Sequence, residues 1–210
     1  MSKTVFYIVR HGESIGNRQG RLLGHTDLDL TDKGYAQAQR TAEALSEVHF
    51  DTIYSSDLMR AYNTALPHAR LRRMEVIKDK QLREAFVGEW ENKLKQEVGE
   101  EYHTGFIDNF GSFRFPGGES IEELACRIYK EIESIAEKEQ GRVILIGTHA
   151  AAIRAFVGKV LNLSALKLST DLPFPSNASY TVIEYEDGTF ILKKYSVDEH
   201  LSDIFTTWVR

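Results

Sequence analysis

Arg10 and His11 are the residues of this chain whose types and spacing are best suited to chemistry. They follow the apolar, β-branched and aromatic run of residues 5–9, which is typical of a buried strand. The end of such a strand brings both side chains to the rim of a sheet, where open α/β folds bind ligands. An imidazole beside a guanidinium suits attack on a phosphoryl group whose charge the arginine binds. Taken alone, the pair fits an ordinary surface position equally well.

A second histidine is expected at the same rim. The apolar run of residues 143–146 leads to His149, which opens a helix whose free backbone N–H groups favour an anion. Arg60 lies one turn into the helix after residues 51–55, so its side chain can point back over the sheet edge. Glu84 could protonate a leaving oxygen, although a solvated loop glutamate is the commoner case. Two histidines at the ends of two predicted parallel strands indicate a site more strongly than one does.

The elements that must position these residues alternate between strands and helices. Strands are predicted over residues 51–55, 75–78 and 142–147, and helices from Thr31, from Ser56 or Asp57 to about Leu66 before Pro67, from Ser120, and over 150–161. Near the end, Asp187-Gly188 between two apolar runs is typical of a hairpin. The pattern predicts an α/β fold, a three-layer α/β/α sandwich whose central sheet is mostly parallel with at least one antiparallel strand.

Residues 86–118, here called the cap, have no clean hydrophobic period. The segment carries the aromatic residues Phe86, Trp90, Tyr102, Phe106, Phe110, Phe113 and Phe115 among glycines and charges. This composition indicates either a structured cover over a cleft or a packed excursion with no ligand role. No linker or repeat interrupts the chain, so we expect residues 1–210 to form a single domain that includes the cap.

Composition excludes several kinds of partner. The chain is 42% hydrophobic and 27% charged, as in ordinary globular proteins, and its net charge of −5 argues against nucleic acid. The single Cys126 excludes an intrachain disulfide and fits a reducing compartment. There is no charged-then-apolar leader and no apolar run of membrane-spanning length, so the sequence predicts a cytoplasmic protein without membrane contact.

Five motifs in order give the chain a family resemblance. They are Arg10-His11-Gly12-Glu13-Ser14 with Asn17, Ser55-Ser56-Asp57-Leu58 with Arg60-Ala61 and Thr64-Ala65, Leu82-Arg83-Glu84 with Gly88 and Trp90, Gly118-Glu119-Ser120, and Thr148-His149 with Ile153-Arg154. From residue 5 to about residue 154, the chain resembles the histidine phosphatase superfamily, the phosphoglycerate mutase-like proteins. Any one of these motifs is only suggestive, whereas all five in order make coincidence improbable.

The resemblance implies a role for each matching residue. His11 is the expected nucleophile, and Glu84 the expected general acid and later base. The expected phosphate pocket consists of Arg10, Asn17, Arg60, His149 and the backbone of Ala150. Arg21, with Arg18, could meet a second anionic group, although a solvated loop arginine fits as well. The resemblance implies no metal and no cofactor, and His25, His49, His68 and His200 are assigned no role.

The chain departs from the family pattern at three positions. Ala150 stands where the family usually has glycine, so the local backbone must accommodate a Cβ. Asn92 stands where a glycine often follows the Trp-Glu pair, and Asp29 replaces a common proline. Only the first of these bears directly on the expected phosphate pocket.

Four functions are compatible with these residues. The favoured one is a phosphomonoesterase of the histidine acid phosphatase type, acting on small phosphorylated metabolites through a phosphohistidine. A cofactor-dependent phosphoglycerate mutase is the alternative, although the short connection from Glu84 to Glu119 favours the phosphatase. A silent phospho-ligand binder would not need Glu84, and a metal site from His11, His149, His25 and Asp27 lacks a local ligand pair. The strands of the terminal hairpin leave a homodimer open.

Overall fold

The computed structural model describes residues 3–204, which are built around a six-stranded sheet. Its strands are β1 (Thr4–Arg10), β2 (Thr52–Ser55), β3 (Val76–Lys78), β4 (Val143–Thr148), β5 (Tyr180–Glu186) and β6 (Thr189–Val197), in the order β3-β2-β4-β1-β5-β6. Strands β1 to β4 are parallel, whereas β5 and β6 pair in antiparallel fashion. The predicted mostly parallel sheet with a terminal hairpin is confirmed.

Helices cover both faces of this sheet. They are α1 (Ile15–Gln19), α2 (Asp32–Ala44), α3 (Met59–Arg72), α4 (Lys95–Val98), α5 (Ile121–Lys138), α6 (Ala150–Val160) and α7 (Ala165–Thr170). Because side chains alternate along a strand, Phe6 and Ile8 of β1 pack in the cluster of α5 and α6, whereas Val9 packs with Ala65 of α3. The result is the predicted three-layer α/β/α sandwich. None of the helices between residues 3 and 204 has the length and apolar character that crossing a bilayer requires.

The start of α3 differs from its prediction. The helix begins at Met59 after Leu58, and neither Ser56 nor Asp57 caps it with a side chain. Instead, the carboxylate of Asp27 accepts a hydrogen bond from the Met59 N–H at 2.7 Å. A residue distant in sequence therefore satisfies one of the free N–H groups that a local cap was expected to satisfy.

The end of α3 also lies beyond its prediction. The sequence places the end at Leu66, but the helix continues through Pro67 to Arg72. Ala65 and Ala69 on its inner face are almost completely buried against the sheet. This packing compensates for the backbone hydrogen bond that the proline cannot donate.

The cap is irregular, as predicted. It consists of short turns at Gly88–Trp90, α4, Glu101–Ile107 and Phe110–Ser112, of which the third is a π-helix. Its aromatic rings pack on one another, with ring centroids 5.1 Å apart for Phe106 and Phe115. The cap is thus a packed body that continues the hydrophobic core on the side of α5 and α6.

The carboxyl ends of β1, β2 and β4 lie side by side because these strands are parallel neighbours. Arg10 pairs in register with Thr148, and Ser55 pairs with Gly147. The backbone N–H of His11 also donates to the carbonyl of Thr148 at 2.9 Å. The residues that directly follow the three strands therefore share one edge of the sheet.

Candidate active site

The structure brings the two predicted histidines together at this edge. The ring centroids of His11 and His149 lie 5.3 Å apart, with an interplanar angle of 60°. Both residues are buried, at 4% and 0% exposure respectively. We call His11, His149, Arg10, Arg60 and Glu84, which meet here, the phosphate edge.

The hydrogen bonding of His11 defines its tautomer. Its Nδ1 lies 2.7 Å from the carbonyl oxygen of Gly12, which can only accept, so Nδ1 carries the proton. Burial lowers the pKa of His11 well below its usual value, and the charges of Arg60 and Arg10 lower it further. The ring is therefore neutral at pH 7, with a lone pair on Nε2, as a nucleophilic imidazole must be.

Gly12 allows the loop after β1 to approach helix α2 closely. A Cβ at Gly12 would collide with the backbone carbonyl of Gly34 in α2, and a Cβ at Gly34 would collide with the backbone of Glu13. The two glycines let helix α2 touch the loop that carries His11. Helix α2 thereby supports the loop that follows β1.

His149 is linked to the second strand. Its Nε2 lies 2.8 Å from the hydroxyl of Ser56, the residue that follows β2. Its Nδ1 has no hydrogen-bond partner within residues 3–204. Burial lowers the pKa of His149 well below its usual value, and the charge of Arg60 adds to this effect. A second neutral imidazole therefore stands beside the first.

Arg10 and Arg60 supply buried positive charge. Arg10 donates from Nη1 to the carbonyl of Pro175 at 2.6 Å, while Arg60 donates to the carbonyls of Thr26 and Gly24 at 2.9 and 2.8 Å. Burial lowers the pKa of each guanidinium to about 10, and the charge of Glu84 opposes this shift. Both remain protonated at pH 7 and favour a bound anion.

The loop that anchors Arg60 is itself held by Glu91, which the sequence analysis did not single out. The Glu91 carboxylate accepts hydrogen bonds from the backbone N–H groups of His25 and Thr26, both at 2.8 Å, and from the Thr26 hydroxyl at 2.6 Å. Glu91 therefore fixes the carbonyl of Thr26 that binds Arg60.

Glu84 lies at the amino terminus of α6. Its carboxylate accepts hydrogen bonds from the N–H groups of Ala151 at 3.2 Å and Ala152 at 3.1 Å. Its backbone carbonyl accepts from Nε2 of His25 at 3.0 Å and from Arg127 at 3.1 Å. His25, assigned no role from sequence, thus contacts the backbone of a predicted site residue.

The Gly118-Glu119-Ser120 motif also acts on Glu84 through Arg127. The Glu119 carboxylate pairs with Arg127 through two hydrogen bonds of 2.8 Å, and accepts a third from the N–H of Phe86 at 3.0 Å. The Arg127 guanidinium spans the carbonyls of Arg83 and Glu84. This ion pair fixes the backbone on both sides of Glu84.

The three departures from the family pattern fit the local backbone. Ala150 is the first residue of α6 and has no positive φ, so its Cβ causes no strain. Asn92 has a φ of 60°, a conformation that asparagine tolerates best after glycine. The carboxylate of Asp29 accepts from the amide of Asn63 at 2.6 Å and so ties its loop to α3.

The side chain of Asn17 is oriented by a hydrogen bond from Asn177, which lies far along the chain. The Oδ1 of Asn17 accepts from the N–H of Ser14 and from Nδ2 of Asn177, both at 3.2 Å. The same Asn177 amide donates to the carbonyl of His11 at 3.1 Å. Because Oδ1 is engaged, the amide group of Asn17 remains the donor on the cavity side. Asn177 lies outside the five motifs, and no local pattern marks it.

A cavity of about 750 Å³ opens in front of the phosphate edge. Arg10, His11, Asn17, Arg60, Glu84 and Ala150 line one end. The cap contributes Lys95, Tyr102, His103, Phe106 and Phe115 to the other walls, and Phe174 joins them. Arg18 and Arg21 also line it, but Arg21 donates to the carbonyl of Asn92 at 2.6 Å and so holds the cap. The cap is both a packed excursion and a cavity wall.

The metal-site alternative finds no support in this geometry. Within residues 3–204, no group of three or more histidine, cysteine, aspartate or glutamate residues is arranged to hold a metal ion. Asp27, one of the ligands considered from sequence, instead caps α3 at Met59.

Comparison with known proteins agrees with the motif pattern. A family model described as histidine phosphatase superfamily (branch 1) matches residues 6–198. Phosphoserine phosphatase 1 of Hydrogenobacter thermophilus is 34% identical over 202 residues, which cover 94% of each chain. Phosphoglycerate mutase-like protein 4 of Arabidopsis thaliana is 36% identical over 187 residues, covering 86% of this chain and 79% of that protein. The solved structure of Bacillus stearothermophilus YhfR has a TM-score of 0.88 at 28% identity, covering 95% of this chain and 100% of that chain.

Proposed function

Because the chain belongs to the histidine phosphatase superfamily, branch 1, we propose that it is a metal-independent phosphomonoesterase acting on small phosphorylated metabolites. The observation that carries the proposal is the neutral imidazole of His11, which lines one cavity with the two buried guanidinium groups of Arg10 and Arg60. Phosphoryl transfer depends mainly on positioning and on stabilisation of charge. The two guanidinium groups provide that stabilisation without a cofactor.

Substrate binding uses the groups that converge at the phosphate edge. Arg10 and Arg60 bind the phosphate oxygens by charge, and the amide of Asn17 donates a further hydrogen bond. The backbone N–H of Ala150, at the amino terminus of α6, adds another donor. His149 accepts from Ser56 in this scheme, which leaves its Nδ1 to donate to a phosphate oxygen.

The reaction then proceeds in two steps. Nε2 of His11 attacks phosphorus, the bond to the ester oxygen breaks, and Glu84 donates a proton to the departing alcohol. Glu84 next accepts a proton from water, whose oxygen attacks the phosphohistidine and breaks the P–N bond. Inorganic phosphate leaves, and both residues return to their starting states.

A phosphoglycerate mutase is the second candidate, favoured by the similarity to a mutase-like protein. A mutase forms the same phosphohistidine but returns the phosphoryl group to a retained product instead of to water. The distinction lies in whether water reaches the intermediate before the alcohol is rephosphorylated. Conversion of 3-phosphoglycerate to 2-phosphoglycerate therefore separates the two activities directly.

The test is release of inorganic phosphate, in EDTA, from a panel of phosphomonoesters that includes 3-phosphoglycerate. We expect release by the wild type and a loss of at least about 10⁴-fold in His11→Ala, because the nucleophile is removed. His49→Ala is the control, since the side chain of His49 is 90% exposed and is not among the residues that line the cavity. A strict metal requirement, or retained turnover in His11→Ala, contradicts the mechanism.

The cellular location and the partners that we propose rest on Cys126, on the net charge and on edge strand β6. The unpaired Cys126 supports a location in the reducing cytoplasm, where phosphorylated metabolites occur. The net charge of −5 speaks against nucleic acid as a partner. Edge strand β6, with Ile191 42% exposed, is the surface through which a homodimer would form, and sedimentation equilibrium would measure it.

A further inference from the structure

His25 contacts the candidate active site from outside the cavity. Its Nε2 lies 3.0 Å from the backbone carbonyl of Glu84, and because a carbonyl oxygen only accepts, Nε2 carries the proton and donates it. The ring also packs on Phe86, with ring centroids 5.4 Å apart. Glu84 lines the cavity, whereas His25 is not among the residues that do so. The hydrogen bond from His25 therefore acts on the protein and not on a ligand.

The loop that carries His25 is fixed on both sides of this residue. The carbonyls of Gly24 and Thr26 accept hydrogen bonds from the Arg60 guanidinium at 2.8 and 2.9 Å. The backbone N–H of His25 donates to the Glu91 carboxylate at 2.8 Å. A Cβ at Gly24 would collide with this carboxylate, so the glycine allows the loop to lie against it. An imidazole on a backbone held in this way is a rigid point of attachment for a neighbouring segment.

Glu84 needs such an attachment because it lies in an irregular stretch of chain. It follows the short turn Lys80–Leu82 and belongs to no helix or strand. The direction of its carboxyl group therefore depends on the hydrogen bonds that hold its main chain. Arg127 donates to the Glu84 carbonyl at 3.1 Å, but the same guanidinium also donates to the carbonyls of Gln81 and Arg83. The ring of His25 supplies a second hydrogen bond to the Glu84 carbonyl from the opposite partner loop.

We propose that His25 is a positioning residue for proton transfer, whose Nε2–H holds the main chain of Glu84 so that its carboxyl group reaches the leaving oxygen. The inference rests on the proposed phosphatase mechanism and adds to it a residue that touches neither the substrate nor the reacting atoms. Proton transfer requires hydrogen-bond distance between donor and acceptor, so a small displacement of Glu84 slows it. Phosphate binding by Arg60 does not use this hydrogen bond.

The first test compares two aromatic esters that differ in their leaving groups. Benzyl phosphate releases a poor leaving group that needs a proton, whereas p-nitrophenyl phosphate releases a phenolate that does not. His25→Phe keeps an aromatic ring beside Phe86 and removes the donor. It should lower kcat/KM by about tenfold for benzyl phosphate and by less than about twofold for p-nitrophenyl phosphate. The inhibition constant of inorganic phosphate should stay within about twofold of the wild-type value, because the contacts of Arg60 remain.

Two further variants separate positioning from a general disturbance of the loop. His25→Gln retains an N–H donor at a similar distance from the backbone and should restore kcat/KM for benzyl phosphate to within about threefold of the wild type. His49→Phe makes the same change at an exposed histidine outside the cavity and should alter neither ester. Equal losses on both esters, or a His25→Gln variant as slow as His25→Phe, overturn the proposal.

Hydrogen exchange tests the position of Glu84 without any turnover. The N–H groups of Ala151 and Ala152 donate to the Glu84 carboxylate, whereas the N–H of Ile153 donates to a backbone carbonyl one turn earlier. In His25→Phe, exchange of the two alanine amides should accelerate about fivefold or more, because the carboxylate that protects them is displaced. Exchange at Ile153 should not change and reports that the helix is intact.

The outcomes also distinguish this inference from the proposed function. If the wild type hydrolyses both esters through His11 but His25→Phe leaves the ratio of their kcat/KM values unchanged, only the inference fails. If the wild type hydrolyses neither ester, the phosphatase function fails, and the exchange of the two alanine amides decides the inference. Faster exchange in His25→Phe then supports the positioning of Glu84 by His25, and unchanged exchange overturns it.

Discussion

The phosphate edge and the cap satisfy their polar groups in different ways. Arg10, Arg60 and Glu84 each have backbone partners, supplied by loops that other side chains hold in place. In the cap, by contrast, the Tyr102 hydroxyl is buried beside an aromatic wall and has no hydrogen-bond partner among residues 3–204. In the proposed function, the edge is organised in advance for one group, the phosphoryl group, which every substrate shares. The cap lines the rest of the cavity, where the proposed function places the leaving group, which differs among substrates.

This comparison predicts two kinds of kinetic effect. Substitutions that disturb the edge should lower kcat/KM for all phosphomonoesters alike, because all these substrates present the same phosphoryl group. Substitutions in the cap should lower kcat/KM for some substrates and leave it unchanged for others. Glu84 is a distinct case, because it lies at the edge but, in the proposed mechanism, donates its proton to the leaving oxygen.

After His11→Ala, Glu84→Gln should give the largest effect, and the size of this effect should depend on the leaving group. Alkyl phosphates should lose about 10²- to 10³-fold in kcat, because their alkoxide needs a proton, whereas an activated aryl phosphate should lose about tenfold or less. The measurement is kcat for 3-phosphoglycerate and p-nitrophenyl phosphate. Glu89→Gln, on the same segment but exposed, is the matched control. Equal losses on both substrates would mean that Glu84 only positions the substrate.

Glu91→Gln should give a smaller effect that is independent of the leaving group. The amide nitrogen of glutamine would face a backbone N–H of His25 or Thr26, so the loop that anchors Arg60 would shift. We expect KM for every substrate, and the inhibition constant of inorganic phosphate, to rise about tenfold. Exposed Glu101→Gln should have neither effect. A loss confined to substrates with particular leaving groups would assign Glu91 to the cap instead.

Low pH should destabilise the protein through three buried histidines: His68 in α3, and His11 and His149 at the edge of the sheet. Burial lowers the pKa of His68 to about 3, and those of His11 and His149 also lie well below the usual value. These groups bind protons more readily when unfolded. Their stabilisation is therefore complete above about pH 6.5 and is lost as the pH falls below it.

Urea unfolding at pH 7.5 and pH 5 measures this loss. His68 alone should contribute about 2 kcal/mol to the decrease in the free energy of unfolding. His68→Leu should remove that share of the pH dependence, whereas His103→Leu, an exposed position in the cap, should not. Unchanged pH dependence in His68→Leu would show that carboxylates account for the acid sensitivity.

Sequence reasoning was most accurate where residues follow regular elements. The strands that lead to His11 and His149 were predicted correctly, because apolar runs mark β1 and β4 and parallel strands end at one edge. The hairpin at Asp187-Gly188 was also predicted from its turn residues. The limits of α3 were wrong at both ends, because a distant aspartate caps it and packing carries it past Pro67.

The residues that sequence reasoning missed are those that support others. Glu91, Asn177 and Arg127 act through partners that lie far along the chain, and no periodicity connects them. His25 was set aside because its neighbours in sequence form no motif, yet its ring contacts the backbone of Glu84. A single sequence contains no signal for contacts of this kind.

The sequence by itself determined the chemical groups of this protein and the sheet edge at which they meet. It did so because side-chain identity and strand periodicity are local properties that motifs record directly. The tertiary structure alone decided the tautomer of His11, the anchoring of Arg60 and the position of Tyr102 in the cavity wall. These depend on burial and on hydrogen bonds between distant segments, which exist only after the chain has folded.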